Sequence, residues 1–307
     1  MRLQKPILLL MILVTLMALD PSTVTGEEAP ALRPEMLVTT QWLADHLHDP
    51  DLVVLSISSN ADFYAKGHIP GARNILLSEI AVTRNGVPAE LPPVEQLQSV
   101  FESAGMSNGS RVVIYGERSG MFAARAYFTL DYLGVAGRVA LLDGGLEKWK
   151  TEQRPVVTET AKPAIGKLKT TARPEIVVDT ATMRQLSQKK PGTIAILDGR
   201  PLAEYSGVQT SEDLPKAGHI PQASSLFWMD LIVSRENPVL KPEAELRRMY
   251  TAANARAGQP VVTYCRTGMQ ASFDYFVAKY LGYEPSVYDA SFYAWSREDL
   301  PVETAKH

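Results

Sequence analysis

The chain has 307 residues, 45% apolar and 21% charged, a composition that fits a soluble globular protein and leaves room for two domains of average size. A formal net charge of −3 with no long basic run excludes a broad electrostatic surface for nucleic acid, so a polyanion would have to be met by a local site. The single cysteine excludes an internal disulfide, and no Cys/His cluster has metal-ligand spacing.

At the N-terminus, Arg2 and Lys5 precede an uncharged apolar run over 7–19, and the polar stretch after it ends in the small residues Val24-Thr25-Gly26. This pattern predicts a secretory signal peptide over 1–26. The run is shorter than the ~20 residues of a bilayer-spanning helix, although an uncleaved anchor is the alternative. No cysteine lies near it, which rules out a lipid-modified cysteine at the mature N-terminus. Without Arg2, Lys5 and Asp20 the chain keeps 29 basic and 33 acidic side chains, a net charge of −4. The mature protein is expected to be exported, periplasmic if the host is bacterial, with no stable membrane association.

Further along, helical spacing covers 41–47, a short apolar run predicts a buried strand over 52–55, and a second helix follows over 94–104. A strand over 112–115 leads to a helix over 122–133. Residues 156–171 are polar, Lys-rich and contain Pro163, as an exposed linker would be. Beyond it the alternation resumes, with strands over 194–197 and 261–264 and helices over 244–255 and 270–281. Strands this apolar are buried on both faces, and with helices between them they predict an α/β architecture of mainly parallel sheets flanked by helices.

The chain is one unit written twice. Arg33-Pro34-Glu35 returns as Arg173-Pro174-Glu175, Gly67-His68-Ile69-Pro70 as Gly218-His219-Ile220-Pro221, and Val112-Val113-Ile114-Tyr115 as Val261-Val262-Thr263-Tyr264. The segment Asp143-Gly144-Gly145-Leu146-Glu147-Lys148-Trp149 returns as Asp289-Ala290-Ser291-Phe292-Tyr293-Ala294-Trp295. Two domains follow, over 30–155 and 172–303, and the spacing of the landmarks puts an insertion in the second at about 206–215. His68 and His219 recur in both copies, which favours a structural role over acid–base work. Trp149 and Trp295 read as core or interface aromatics for the same reason.

Cys265 stands where the strand over 261–264 ends, and sites in α/β folds lie at the carboxyl ends of the sheet's strands. Arg266-Thr267-Gly268-Met269 then turns into the helix that begins near Gln270. Such a turn aims backbone N–H groups inward, and the helix dipole adds positive potential. With Arg266 beside it, Cys265 is expected to have a lowered pKa and to act as a nucleophile. An inert buried thiol is the alternative reading of a lone cysteine.

Cys265-Arg266-Thr267-Gly268, Gly218-His219-Ile220-Pro221 and the closing Tyr288-Asp289-Ala290-Ser291-Phe292-Tyr293-Ala294-Trp295 resemble the tandem-domain rhodaneses, over nearly all of the chain beyond residue 26. The resemblance implies two rhodanese-like domains, the first non-catalytic and the second catalytic. It implies a sulfurtransferase in which Cys265 takes sulfane sulfur from thiosulfate or a related small donor, becomes a persulfide, and passes the sulfur to cyanide or a thiol. It implies no metal and no organic cofactor. Arg266, Thr267, Gly268, Met269 and Gln270 would bind substrate, together with Arg200 of the Asp198-Gly199-Arg200-Pro201-Leu202-Ala203-Glu204-Tyr205 motif, although an Asp198–Arg200 ion pair is the alternative there. In the first copy Gly116-Glu117-Arg118-Ser119 occupies the place of the loop and offers no thiol.

The sequence departs from the family's thiosulfate-using pattern in two places. Thr267 stands where thiosulfate-using members have a substrate-binding lysine, and Glu204 where they have an arginine; mercaptopyruvate-using members have a small residue in place of Arg266. Arg266 favours a small oxyanion such as thiosulfate. A 3-mercaptopyruvate sulfurtransferase and a non-enzymatic persulfide-carrying or redox-sensing module are the rival readings. A phosphatase is disfavoured, because the position six residues after Cys265, which would have to clamp phosphate with an arginine, is Ala271.

Overall fold

The computed structural model describes residues 29–160 and 162–305, so the segment 1–26 read as an export signal lies outside the described residues. The first unit runs β1 (Leu37–Val38), α1 (Thr40–His46), β2 (Leu52–Ser58), α2 (Ala61–Ala65), β3 (Arg73–Leu76), α3 (Leu77–Ile80), the hairpin β4 (Val82–Arg84) and β5 (Val87–Glu90), α4 (Val94–Ser103), β6 (Arg111–Gly116), α5 (Met121–Tyr132), β7 (Val139–Leu142) and α6 (Gly145–Thr151). The second runs β8 (Val177–Val178), α7 (Thr180–Ser187), β9 (Ala195–Asp198), α8 (Leu202–Tyr205), β10 (Ser224–Ser225), α9 (Glu243–Ala252), β11 (Val261–Tyr264), α10 (Met269–Tyr280), β12 (Pro285–Tyr288) and α11 (Ser291–Trp295).

The strand order is β1-β7-β6-β2-β3 in one sheet and β8-β12-β11-β9-β10 in the other, and every pairing within the two is parallel. The duplication in the sequence is thus a duplication of topology. Each sheet is mainly parallel and flanked by helices. The β4–β5 hairpin of the first unit pairs antiparallel, and isolated antiparallel bridges join His68 to Val157, His219 to Glu303 and Ile232 to Leu240.

Both long helices after the central strands, α5 and α10, are buried on nearly every side. They pack on each other across the units: the ring of Tyr127 meets Phe276 edge-on at 5.0 Å, and Phe128 meets Tyr275 at 5.1 Å. One apolar cluster therefore runs through residues of both units. Beside it, buried Asp131 of α5 accepts from Tyr275 Oη at 2.6 Å and from Lys279, and pairs with Arg173. A helix buried all round is what a shared core requires.

The insertion in the second unit has a clear place. His68 Nδ1 bonds the Tyr64 carbonyl four residues earlier, and His219 Nδ1 makes the same bond to Tyr205, fourteen residues earlier. Each imidazole stacks on that tyrosine and is buried, so both histidines fasten a turn. Trp149 and Trp295, fully buried, donate to the carbonyls of Pro155 and Pro301.

The connection between the units differs from an exposed linker in one respect. Its lysines Lys162, Lys167 and Lys169 are exposed as expected, yet Leu168 is buried and its amide donates to Glu102, while the amides of Lys167 and Lys169 donate to Ser107 and Asn108. Leu168 breaks the polar pattern and anchors the segment along the first unit.

Candidate active site

Strand β11 ends at Tyr264, and Cys265, Arg266, Thr267 and Gly268 turn the chain into α10. Gly268 has φ +81°, and a Cβ there would lie 2.5 Å from Asp289 Oδ1 and 2.7 Å from the Asp289 carbonyl, so the tight entry into the helix requires glycine on both counts. The turn is templated by the segment after β12. Ser291 Oγ accepts from the Cys265 amide at 3.1 Å, and the carbonyls of Cys265 and Arg266 accept from the amides of Phe292 and Tyr293 at 3.0 and 2.9 Å. Ser291 itself sits at φ +54° and donates to the Tyr288 carbonyl. These bonds fix the loop backbone.

Cys265 is buried, with 1% of its surface exposed. The amides of Ala271, Thr267 and Gln270 are directed at it and pull its pKa down, but burial pushes the thiol up by more, and nearby Asp274 adds to the rise. The expectation of a lowered pKa is therefore corrected: in the resting protein the cradle stabilises negative charge, yet the loss of water around the thiol outweighs it. The same donors stand ready for charge on a sulfur adduct that reaches further out.

The other sequence candidates divide into two groups. Thr267, Met269 and Gln270 are half-buried around the turn and Gly268 shapes it; Gln270 Oε1 is buried with no hydrogen-bond partner. Arg266 Nη2 pairs with Glu204 Oε1 at 2.5 Å, a side chain of α8 that is itself 91% buried. Arg200 is elsewhere in its bonding. Only 1% exposed, it donates to both oxygens of Asp198 at 2.6–3.2 Å and to the Gly218 carbonyl at 2.8 Å, and lies 4.0 Å over the Phe292 ring. The Asp198–Arg200 ion pair, the alternative read from the sequence, is thus present at the end of β9.

Four residues near the loop were not singled out from sequence. Asp274 on α10 is fully buried with no hydrogen-bond partner among the described residues at either carboxyl oxygen, and burial raises its pKa well above the ordinary range, with Asp198 adding to the rise. Ser291 holds the Cys265 amide. Asp289 backs Gly268, and it is paired from the first unit by Arg125 on α5, which is 0% exposed, through Nη1–Oδ1 at 2.5 Å and Nη2–Oδ2 at 3.2 Å. The recurrence of Asp143 as Asp289 was the available signal; nothing in the sequence reveals the pairing across units.

The equivalent turn of the first unit is built differently. A Cβ at Gly116, the place of Cys265, would meet the Ile57 carbonyl at 2.8 Å and the Ala123 amide at 3.1 Å. Arg118, Ser119 and Gly120 all have positive φ, and Glu117 turns its carboxylate to the Ser59 amide.

The family model "Rhodanese-like domain" matches residues 39–152 and again 180–298. The sulfur carrier protein TtuD of Thermus thermophilus is 32% identical over 274 residues, 85% of this chain and 94% of that protein. A thiosulfate sulfurtransferase of Azotobacter vinelandii is 31% identical over 264 residues, 85% of this chain and 94% of that one. The crystal structure of the 3-mercaptopyruvate sulfotransferase SseA from Escherichia coli superposes with a TM-score of 0.73 at 25% identity, covering 83% of this chain and 97% of that one.

Proposed function

This chain belongs to the rhodanese family, with two of its domains in tandem and sulfurtransferases among its relatives, and from that premise we propose that it moves sulfane sulfur through a persulfide on Cys265. The observation that carries the reading is the position of that thiol: at the end of a central parallel strand, against three amides of the turn into α10. The ionised sulfur of Cys265 attacks the outer sulfur of thiosulfate or a related small donor. A Cys265–sulfur bond forms, the donor's S–S bond breaks, and sulfite leaves with the electron pair. Cyanide or a thiolate then attacks the terminal sulfur and returns Cys265 as thiolate, with the cradle amides holding the charge at each stage. Arg266 at the mouth supplies the cation for an oxyanion donor.

The test is thiocyanate production from thiosulfate and from 3-mercaptopyruvate with cyanide, alongside the intact mass of the protein before and after cyanide. Turnover with thiosulfate, lost in Cys265→Ser, and a cyanide-labile sulfur adduct are the expected results. Undiminished turnover in the serine variant overturns the mechanism. Greater turnover with 3-mercaptopyruvate reassigns the donor. A second reading, a persulfide carrier without turnover, draws on the burial of the sulfur and the likeness to a sulfur carrier protein; an adduct without catalysis on either donor supports it. We also propose export directed by residues 1–26, checked by N-terminal sequencing of the mature protein.

A further inference from the structure

We propose that Arg125, contributed by the domain without a thiol, is a positioning residue for the Cys265 loop and acts through Asp289. The inference rests on Cys265 as the working thiol, but its readout needs no turnover.

The two domains face each other about matching elements, and their differences show which contacts serve the loop. The Leu91 amide donates to Asp289 Oδ2 at 3.0 Å, and in the reciprocal contact the Leu240 amide donates to Asp143 Oδ1 at 2.9 Å. Each domain thus donates a backbone amide to the matching aspartate of the other. The fifth residue of α5 is Arg125 and the fifth of α10 is Phe273. Arg125 Nη1 comes within 3.4 Å of a Cβ placed at Gly268, and Phe273 within 3.5 Å of one placed at Gly120. The place is the same and the chemistry is not: the turn with the thiol has a guanidinium behind it, and the turn without one has a phenyl ring.

Arg125 has bonds that only this place offers. Besides its two bonds to Asp289, Nη2 donates to the Ala89 carbonyl at 2.7 Å, and the guanidinium lies over Phe128. Asp289 therefore presents one fixed face to Gly268. From the same segment, Ser291, Phe292 and Tyr293 bond the backbone of Cys265 and Arg266. Arg125 of one domain is thus bonded to the segment over 289–293 of the other, and that segment bonds the backbone of Cys265 and Arg266, the residues just before the amides at the sulfur.

Two variants test this. Arg125→Phe puts the phenyl ring of the other turn in place of the guanidinium, with Asp289→Asn added so that no buried carboxylate is stranded, and Arg125→Lys keeps the charge but loses the fork. The readouts are the pH dependence of Cys265 alkylation by iodoacetamide, and kcat and KM taken separately. The other charged groups around the loop, Asp274 on α10, Glu90 on β5 and the Arg266–Glu204 pair, are unchanged in both. With the amides misaligned, the alkylation midpoint moves to higher pH, and kcat falls by tenfold or more, toward the ~100-fold that an ångström of misplacement costs, with KM little altered. Arg125→Lys lies between the double variant and the native protein. A double variant with native circular dichroism whose midpoint and kcat are unchanged overturns the proposal, as does a fall in Tm alone. If the double variant does not fold, Arg125→Lys decides in the same way, an unchanged midpoint and kcat overturning it.

Discussion

Arg266 and Glu204 form an ion pair, 2.5 Å from Nη2 to Oε1, beside the residue that bears the sulfur. The arginine side chain is 38% exposed and the glutamate 9%, so the pair stands at the mouth of the site with its acid on the inner side. An incoming dianion must share Arg266 with a carboxylate that also repels it.

Glu204→Gln should therefore raise kcat/KM for thiosulfate, by roughly fivefold, the ~1 kcal/mol of a partly exposed ion pair. Steady-state kinetics at two ionic strengths check this, the gain shrinking at high salt. An unchanged or lower value would show that Glu204 is not an electrostatic barrier to the donor.

Asp274 predicts a pH signature in stability. Its carboxyl has no partner among the described residues and holds its proton far above the ordinary range. Folded-state affinity for a proton above the unfolded value stabilises the protein below the unfolded carboxyl pKa, and that stabilisation is lost as pH rises through the folded value. Asp274→Asn should accordingly be more stable than the native protein at pH 8 and not at pH 3.5. Urea unfolding at the two pH values measures it; equal differences at both would mean that the carboxyl does not titrate with folding.

The architecture was legible in the sequence because the duplicated landmarks and apolar runs report it directly. The strand predicted over 261–264 matches β11 residue for residue, and the helix over 270–281 begins one residue late, since Met269 is already in α10. The chemistry around Cys265 was less legible. A turn in front of a helix reveals amide donors, but not how far the sulfur is withdrawn from water, and burial reversed the expected direction of its pKa. Arg125 was hidden because the helix reads as uniformly buried, and only folding brings it to Asp289, which lies 164 positions along the chain.

Arg200 separates a structural cation from a binding one. Removing it in Arg200→Met leaves Asp198 buried and uncompensated, which should cost roughly 3–5 kcal/mol, and Asp198→Asn added to it should recover most of the loss. KM for the donor should stay unchanged in the double variant. A rise in KM with native stability would return Arg200 to the substrate site.

Gly268→Ala meets two penalties, the left-handed backbone and the contact with Asp289. Activity should fall by about 100-fold as the loop shifts. Gly192→Ala provides the control: its φ is +84°, but its Cβ would meet nothing within 4 Å, so it should lose only the ~1–2 kcal/mol of the backbone conformation and none of the activity. Comparable losses of activity in the two variants would remove Asp289 from the explanation.

The space denied to a side chain at Gly116 has a bearing on the history of the duplication. With the Ile57 carbonyl 2.8 Å from where a Cβ would stand, no single codon change could place a thiol there without a shift of the surrounding backbone. The absence of a thiol from that turn is thus built into the packing of the strand beside it as well as into its sequence.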